Sequence, residues 1–403
     1  MRVRFPVYRT LPIILLLIFL PSIVHSQETT PISGYSSQAG LNPASPGQTV
    51  RLVFIHHSTG QNWLADDNGG LGKVLSDNKY FVSDTNYGWG PASIGDHTDI
   101  GDWWSWFRGP DSATYLASLY ASAEQTSSYS RLPIPPAGEN EIVMFKSCFP
   151  NSALQGNPGD PPPPIENNPL RAEGSGSDHH TVANAKGIYI DLLDYFKTRQ
   201  DKLFVVVSAP PLSDPTYADN ARIFNVWLVN DWLLEYPFRN VAVFDFYNVL
   251  TTNGGTPDIN DLDGVSGNHH RWLQGSIQYA TDGDDDMSAN ILEYPSGDDH
   301  PTRAGNLKAT GEFVTLLNVF YNNWKDGGVS LIADGDMDGK DGVTIADALL
   351  ALRTAVELHT ANATELSRGD CAPLVNSKPQ PDSLIDIRDA LLILRKVVKL
   401  IDW

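Results

Sequence analysis

Short apolar runs alternate with longer amphipathic stretches from residue 49 to residue 325. The short runs are continuously apolar, which is typical of strands buried on both faces of a parallel sheet: VRLVFI, KYFVS, EIVMFKS, KLFVVVSAP and NVAVFDF. The longer stretches repeat apolar residues at three- and four-residue spacing, which predicts helices: TVANAKGIYIDLLDYFKTR, ARIFNVWLVNDWLLEY and AGNLKATGEFVTLLNVFYNNW. The alternation predicts an α/β fold whose parallel sheet is covered by helices on both faces.

The pattern changes after Trp324, where an amphipathic segment occurs twice. TIADALLALRTAVEL at 344–358 aligns with IDIRDALLILRKVVKL at 385–400, and three aligned pairs are Asp347 with Asp389, Arg353 with Arg395, and Leu358 with Leu400. A repeated loop and helix indicates a duplicated supersecondary unit. We therefore predict a large domain at 49–325 and a small all-α domain at 330–403.

The N-terminus has the organisation of a secretory signal peptide. A basic start precedes the apolar segment LPIILLLIFLPSIV, and Val24 and Ser26 provide small residues before a cleavage point near Gln27. The sequence predicts a signal peptide at 1–26 and a leader loop at 27–48, with an uncleaved membrane anchor as the alternative. The mature protein is expected to be extracellular or periplasmic and free of the membrane.

The net charge excludes some classes of binding partner. The formal net charge of -20 argues against nucleic acid and anionic membranes as partners, because their phosphates would repel the chain.

The 2 cysteines, Cys148 and Cys371, fall in different predicted domains, so a disulfide framework is not expected to stabilise the fold.

Candidate nucleophile chemistry begins in the stretch LVFIHHSTGQNWL. Ser58 follows the first predicted strand, and a residue there points into the crevice at the carboxyl edge of the sheet. Alternation along an extended chain sends His57 to the opposite face, so the base is expected from elsewhere. His300, in SGDDHPTRAGN, is the candidate base, and Asp298 or Asp299 is the candidate orienting acid.

These residues resemble the SGNH hydrolases, also called GDSL esterases and lipases, over residues 51–324. The matching positions are Ser58, Gly88 or Gly90 in NYGWGP, Asn151 in KSCFPNS, and His300 followed by Pro301. The resemblance implies a flavodoxin-like three-layer α/β/α fold and a serine esterase that needs no cofactor for catalysis. It also implies an oxyanion held by the Ser58 N–H, a glycine N–H and the Asn151 amide.

The acid position departs from the family pattern. The family has D-x-x-H-P, but Gly297 stands three residues before His300, so Asp298, Asp299 or a Ser-His dyad without a carboxylate remain open.

Acidic residues in the repeat have the spacing of a calcium loop. In DMDGKDGVTIAD, oxygen-bearing side chains stand at positions 1, 3, 9 and 12, which suits a hard cation: Asp336, Asp338, Thr344 and Asp347. The loop resembles the first half of a type I dockerin. Lys340 and Asp341 depart from the pattern, and we expect either that Asp341 reaches the ion or that the loop is offset, with Asp334 contributing. The second loop is expected to use Asp370, Asp382, Asp386 and Asp389.

The tryptophans in GDHTDIGDWWSWFRG admit two interpretations. Trp103, Trp104 and Trp106 could form a sugar-stacking wall, but aromatic clusters more often pack in a core, which is the interpretation we favour.

Together these features predict a secreted esterase that acts on a small-molecule or polysaccharide ester, by analogy an acyl group on a carbohydrate. A Ca²⁺-binding dockerin-like module would attach it to a cohesin-like protein. The alternative is a catalytically inactive SGNH-shaped protein that binds or attaches through the calcium module.

Overall fold

The structure, a computed structural model, describes residues 41–251, 268–280, 290–327, 333–340, 342–356, 358–375, 378–379 and 384–403. The predicted signal peptide, most of the leader loop, Asp341 and Asp382 lie outside the described residues.

The large domain contains the strands and helices that the apolar pattern predicts. In chain order they are β1 (Val50–Ile55), α1 (Ser58–Leu64), α2 (Leu71–Asp77), β2 (Tyr80–Thr85), α3 (Asp102–Phe107), α4 (Ser112–Ala121), β3 (Ile142–Lys146), α5 (Val182–Phe196), β4 (Leu203–Val207), α6 (Ala218–Asn230), β5 (Val241–Phe244), α7 (Phe246–Val249), β6 (Arg271–Leu273), β7 (Ser276–Gln278) and α8 (Arg303–Gly327). Residues of the small domain form α9 (Ile345–Ala355), α10 (Ala363–Gly369), β8 (Leu374–Val375), β9 (Lys378–Pro379) and α11 (Ile387–Val397).

The five predicted strands form one parallel sheet in the order β2-β1-β3-β4-β5. This is the strand order of flavodoxin-like doubly wound sheets, which bind ligands beyond the carboxyl ends of the strands. One core, on the face covered by α1, α2 and α8, includes Phe54, Trp63 and Phe313. A second core, on the face covered by α3, α5 and α6, includes Phe145 and Phe196. The predicted α/β class is confirmed.

Two element ends differ from the pattern-based prediction. The stretch predicted as one helix up to Tyr236 is helical only to Asn230, and Trp232 beyond it stays buried, which explains why the apolar spacing continued. Strand β2 runs two residues past the apolar pattern to include Asp84 and Thr85, both fully buried.

Residues 333–393 include a third buried cluster, and Phe238 packs against it. In this part of the chain α9 packs against α11. The two helices begin in the same way, with capping boxes formed by Thr344 and Asp347 in α9 and by Asp386 and Asp389 in α11. The repeat in the sequence is therefore a repeat of capped helices.

Asp84 extends β2 because it is paired with a histidine at the end of β1. Its Oδ2 lies 3.1 Å from His56 Nε2, and both side chains are fully buried. The carboxylate also accepts hydrogen bonds from the Thr126 N–H at 2.7 Å and the Tyr129 hydroxyl at 2.9 Å. Burial raises the pKa of Asp84, but the hydrogen bond and charge of His56, with the side chains of Ser127 and Thr126, outweigh it and lower the pKa to about 2.

The Asp84→Ala substitution is expected to destabilise the protein by about 3 kcal/mol, because it leaves a buried imidazole without its carboxylate. Chemical denaturation of both proteins measures the difference. Asp77→Ala, which breaks the exposed pair of Asp77 with Lys73, is the control and should cost under about 0.5 kcal/mol.

The stability that Asp84 contributes to the fold is expected to fall as the pH is lowered. The folded-state pKa of Asp84 lies below the ordinary 3.8, so its stabilisation, about 2 kcal/mol, is present above pH 4 and lost as the pH falls towards 2. Equal losses of stability in wild type and Asp84→Ala over this pH range would contradict the assignment.

Candidate active site and acidic loop

Ser58 lies at the carboxyl edge of the sheet, as its position after the first strand predicts. β1 ends at Ile55, and Ser58 is the first residue of α1. Its neighbour Gly60 is packed so closely on the His56 ring that a Cβ at Gly60 would lie 2.4 Å from His56 Cβ. Close packing of α1 on the strand end therefore fixes where Ser58 stands.

The structure brings Ser58 and His300 together. His300 Nε2 lies 2.8 Å from Ser58 Oγ, although the residues are 242 positions apart. On the other side of the ring, His300 Nδ1 lies 3.1 Å from Asp298 Oδ1. This arrangement lets Asp298 accept the Nδ1–H while Nε2 accepts the Ser58 hydroxyl proton.

Of the two candidate acids, Asp298 is the one at the imidazole. Asp299 Oδ1 instead accepts a hydrogen bond from the Ser213 N–H at 2.9 Å. Hydrogen bonds from the Ser296 hydroxyl, first, and from His300 hold the pKa of Asp298 below its usual range. The Asp298 side chain is 69% exposed, whereas that of His300 is 18% exposed, so the carboxylate meets the imidazole from the solvent side.

The turn that carries His300 brings Asp298 to the imidazole. Gly297 and Asp299 have positive φ values of 101° and 64°, and the chain folds back so that the Ser296 N–H donates to the His300 carbonyl at 3.2 Å. This tight turn brings a carboxylate two residues before His300 to the ring nitrogen.

The histidines before Ser58 have structural contacts rather than contacts to the nucleophile. His57 Nε2 donates to the Gly95 carbonyl at 2.6 Å and its Nδ1 accepts from the Thr98 hydroxyl at 3.0 Å. Burial lowers the pKa of His57, which favours this neutral form. His56 Nδ1 lies 2.9 Å from the His57 carbonyl while its Nε2 faces Asp84. Both rings thus hold the strand end and the loop above it.

The family-derived oxyanion residues have other partners in this structure. The Gly88 N–H donates to Asp96 at 2.7 Å, and the Asn151 amide nitrogen donates to Asp99 at 2.6 Å and to the Cys148 carbonyl at 3.2 Å. Gly90 occupies a left-handed turn with a φ of 79°. A role for Gly88, Gly90 or Asn151 in binding an oxyanion stays a prediction.

Tyr87 is a neighbour of Ser58 that the sequence analysis missed. Its ring stacks on His57 with centroids 3.9 Å apart, and burial raises the pKa of its phenol, an effect that Ser58 partly offsets. No signal in the sequence places Tyr87 beside His57, because the register of β1 and β2 that brings their loops together is visible only in the folded sheet.

The tryptophan cluster is a packing feature, as favoured. Trp103 and Trp106 are fully buried, with indole N–H groups that donate to Ser147 Oγ at 2.9 Å and to the His97 carbonyl at 2.6 Å. Trp104 is half-buried beneath the guanidinium of Arg171. The first two rings are therefore not available to stack on a sugar.

The first acidic loop gathers three carboxylates. Ligand atoms of Asp336, Asp338 and Asp347 all lie within 4.8 Å of one another, and the Thr344 hydroxyl donates to Asp347 at 2.8 Å. The Lys340 N–H donates to Asp336 and Asp338, at 3.1 and 2.9 Å. Convergent carboxylate oxygens are the donor set that a hard divalent cation takes, so these residues fit calcium.

The remaining predicted ligands are arranged differently. Asp334 is outside the first cluster and pairs with the guanidinium of Arg368 at 2.5 Å, and the same guanidinium lies 3.1 Å from Asp336, a member of the cluster. In the second loop, Asp389 accepts hydrogen bonds from the N–H groups of Cys371 and Ala372, at 2.8 and 2.7 Å. Asp370 is fully buried. Among the described residues, the first loop alone brings three such groups together.

The helices α9 and α11 share an exposed apolar face. Ile345 and Ile387 occupy equivalent places in the repeat and are 68% and 63% exposed. The other members of this face repeat in the same register and line one shallow groove: Leu349, Leu352, Leu391 and Leu394.

The chain matches no protein-family model, no curated protein and no solved structure. In the described part of the chain, no helix has both the length and the apolar character needed for a bilayer crossing.

The geometry of His300 predicts its tautomer. With Asp298 at Nδ1 and the Ser58 hydroxyl at Nε2, neutral His300 should carry its proton on Nδ1. Two-dimensional ¹H–¹⁵N spectra of the imidazoles, with His300→Gln for assignment, measure this. Asp298→Asn should shift population to the Nε2–H form. Asp299→Asn is the control, since asparagine tolerates a positive φ, and an equal change in both variants would contradict the pairing.

Proposed function

We propose that the large domain is a secreted serine esterase of the SGNH type. The observation that carries the proposal is the 2.8 Å contact between Ser58 Oγ and His300 Nε2 at the carboxyl edge of the sheet, with Asp298 at the other ring nitrogen. A nucleophile that is hydrogen-bonded to a base, which is in turn hydrogen-bonded to an orienting group, is the arrangement that acyl transfer requires.

In the proposed reaction, His300 Nε2 accepts the Ser58 hydroxyl proton as Oγ bonds to the ester carbonyl carbon. The same proton then passes to the leaving alkoxide when the carbon–oxygen bond breaks, and water releases the acyl group by the reverse use of the base. Asp298 stabilises the imidazolium, although its exposure means that solvent screens part of this effect. By analogy with enzymes that carry dockerin-like modules, the proposed substrate is a carbohydrate with an ester-linked acyl group.

The rival is a catalytically inactive protein of the same shape that acts through its calcium module. The observation in its favour is that Gly88 and Asn151 donate to Asp96 and Asp99. Chemical reactivity of Ser58 separates the two functions.

We further propose that the small domain is a dockerin-like module. Its first loop would hold Ca²⁺ with Asp336, Asp338 and Asp347, whose oxygens converge. The repeated exposed face of α9 and α11 suits a partner that buries apolar side chains, and the proposed partner is a cohesin-like protein.

Ser58 should react with a serine-directed fluorophosphonate, because His300 is placed to remove its proton. Mass spectrometry of the labelled peptide is expected to find the adduct on Ser58 in wild type and none in Ser58→Ala. Hydrolysis of p-nitrophenyl acetate should fall by at least about 10³-fold in the same variant. Ser112→Ala, at the start of α4 and outside the Ser58–His300 contact, should still label. Labelling that survives in Ser58→Ala, or a wild type that neither labels nor hydrolyses, would favour the rival.

Calcium should raise the melting temperature of the full chain, because a cation relieves repulsion among the clustered carboxylates. At 100-fold excess over Kd the gain is about 2.7 kcal/mol, and a chelator should remove it. Asp347→Asn should reduce the calcium-dependent gain, whereas Asp111→Asn, an equal charge change at the exposed start of α4, should leave it intact. No calcium-dependent change in wild type would overturn the calcium proposal.

A further inference from the structure

The ring of Phe149 lies against the imidazole of His300 at the carboxyl edge of the sheet. The centroids of the two rings are 5.0 Å apart, and their planes are inclined by 81°. The edge of one ring therefore meets the face of the other, an arrangement that aromatic pairs prefer because ring edges are positive and ring faces negative. This contact is separate from the two hydrogen bonds of the imidazole, which Ser58 and Asp298 make.

Phe149 stands on a well-anchored part of the fold. Two residues separate it from the end of β3, and it begins a 3₁₀ turn of 4 residues. Within this turn the Asn151 side-chain oxygen accepts the Ile100 N–H at 2.8 Å. The hydroxyl of Ser152, the last residue of the turn, donates to the Pro210 carbonyl at 2.8 Å. Because the turn is tied to two neighbouring segments, the Phe149 ring has a fixed place at the edge of the sheet.

The hydrogen bonds of His300 hold its ring less firmly. The Asp298 side chain is 69% exposed, and an ion pair that faces solvent contributes little to fixing two side chains, because water screens the charges. The His300 side chain is nevertheless mostly buried. Packing must therefore contribute to its orientation, and the Phe149 ring supplies a packing contact from the anchored side of the site.

We propose that Phe149 is a positioning residue that holds the His300 imidazole in line with Ser58 Oγ. This inference rests on the proposed esterase function and names a residue that acts through the base. Proton transfer requires Nε2 to stay near the Ser58 hydroxyl, which it meets at 2.8 Å. Small displacements of a catalytic group cost large factors in rate, and such groups are held in place by the packing around them. Phe149 itself neither takes nor gives a proton.

A role in substrate binding is the alternative for the same side chain. Phe149 is half-buried, so part of its ring faces solvent. A substrate that packed on this part would lose affinity when the ring is removed, and KM would change. Loss of orientation of the base would instead lower kcat, so kinetics separate the two roles.

The test is Phe149→Leu, which keeps an apolar side chain and removes the ring. With p-nitrophenyl acetate, kcat should fall about 10-fold and KM should stay within about 3-fold, because the base loses orientation while substrate binding is kept. Phe149→Tyr restores the ring and should bring kcat to within about 2-fold of wild type. Phe238→Leu is the matched control, because Phe238 is also half-buried but precedes β5, at the amino edge of the sheet.

Proton spectra of the His300 imidazole test the contact without relying on activity. The ring current of Phe149 shifts the carbon-bound protons of His300, so Phe149→Leu should move these signals towards those of an isolated imidazole. Phe238→Leu should leave them in place, and His300→Gln assigns them. Both leucine variants should melt near the wild-type temperature. If Phe149→Leu does not fold, Phe149→Met takes its place, because the flexible methionine side chain fills irregular space.

The outcomes separate the inference from the function on which it rests. If wild type hydrolyses the ester through Ser58 and Phe149→Leu retains kcat, the positioning role is overturned and the esterase stands. A rise in KM alone, equal losses of kcat in Phe149→Leu and Phe149→Tyr, or unchanged His300 signals in Phe149→Leu overturn it as well. If wild type shows no Ser58-dependent hydrolysis, the esterase function is overturned and the positioning role falls with it.

Discussion

The carboxyl edge of the sheet depends on the buried contact between His56 and Asp84. This contact joins the ends of two neighbouring parallel strands at 3.1 Å, in a place where neither side chain meets water. It lets β2 continue through polar residues, so that the loop after it leaves the sheet beside the turn into α1. Ser58, His57 and Tyr87 take their positions from that shared exit.

The other half of the site depends on how α8 is held. Trp63 in α1 donates its indole N–H to Thr310 in α8 at 2.9 Å, and Asn306 donates its amide to Asn68 at 2.9 Å. The first bond links the helix that begins at Ser58 to α8, which begins just after His300, and the second links α8 to the turn that follows α1. Because Trp63 and Phe313 belong to the same buried core, the Ser58–His300 distance is fixed by packing that lies well away from solvent.

The sequence predicted the parts of this molecule that depend on local pattern. Continuous apolar runs predicted all five strands, because a doubly covered strand has no polar face. Ser58 and His300 could be paired in advance, since each follows from its position relative to a strand or helix. Asp298 could not be chosen over Asp299, because the choice depends on a left-handed turn at Gly297 and Asp299. Tyr87 was missed because its neighbours come from strand register and loop path.

The exposed apolar face shared by α9 and α11 affects how copies of the protein interact in solution. A chain with a net charge of -20 repels other copies of itself at low ionic strength. This repulsion keeps the exposed apolar faces of different copies apart. Salt shortens the range of repulsion to about 8 Å at physiological ionic strength, whereas burial of apolar surface is not screened. The charge that keeps this exposed apolar face away from other copies of the chain therefore acts over a shorter distance as the salt concentration rises.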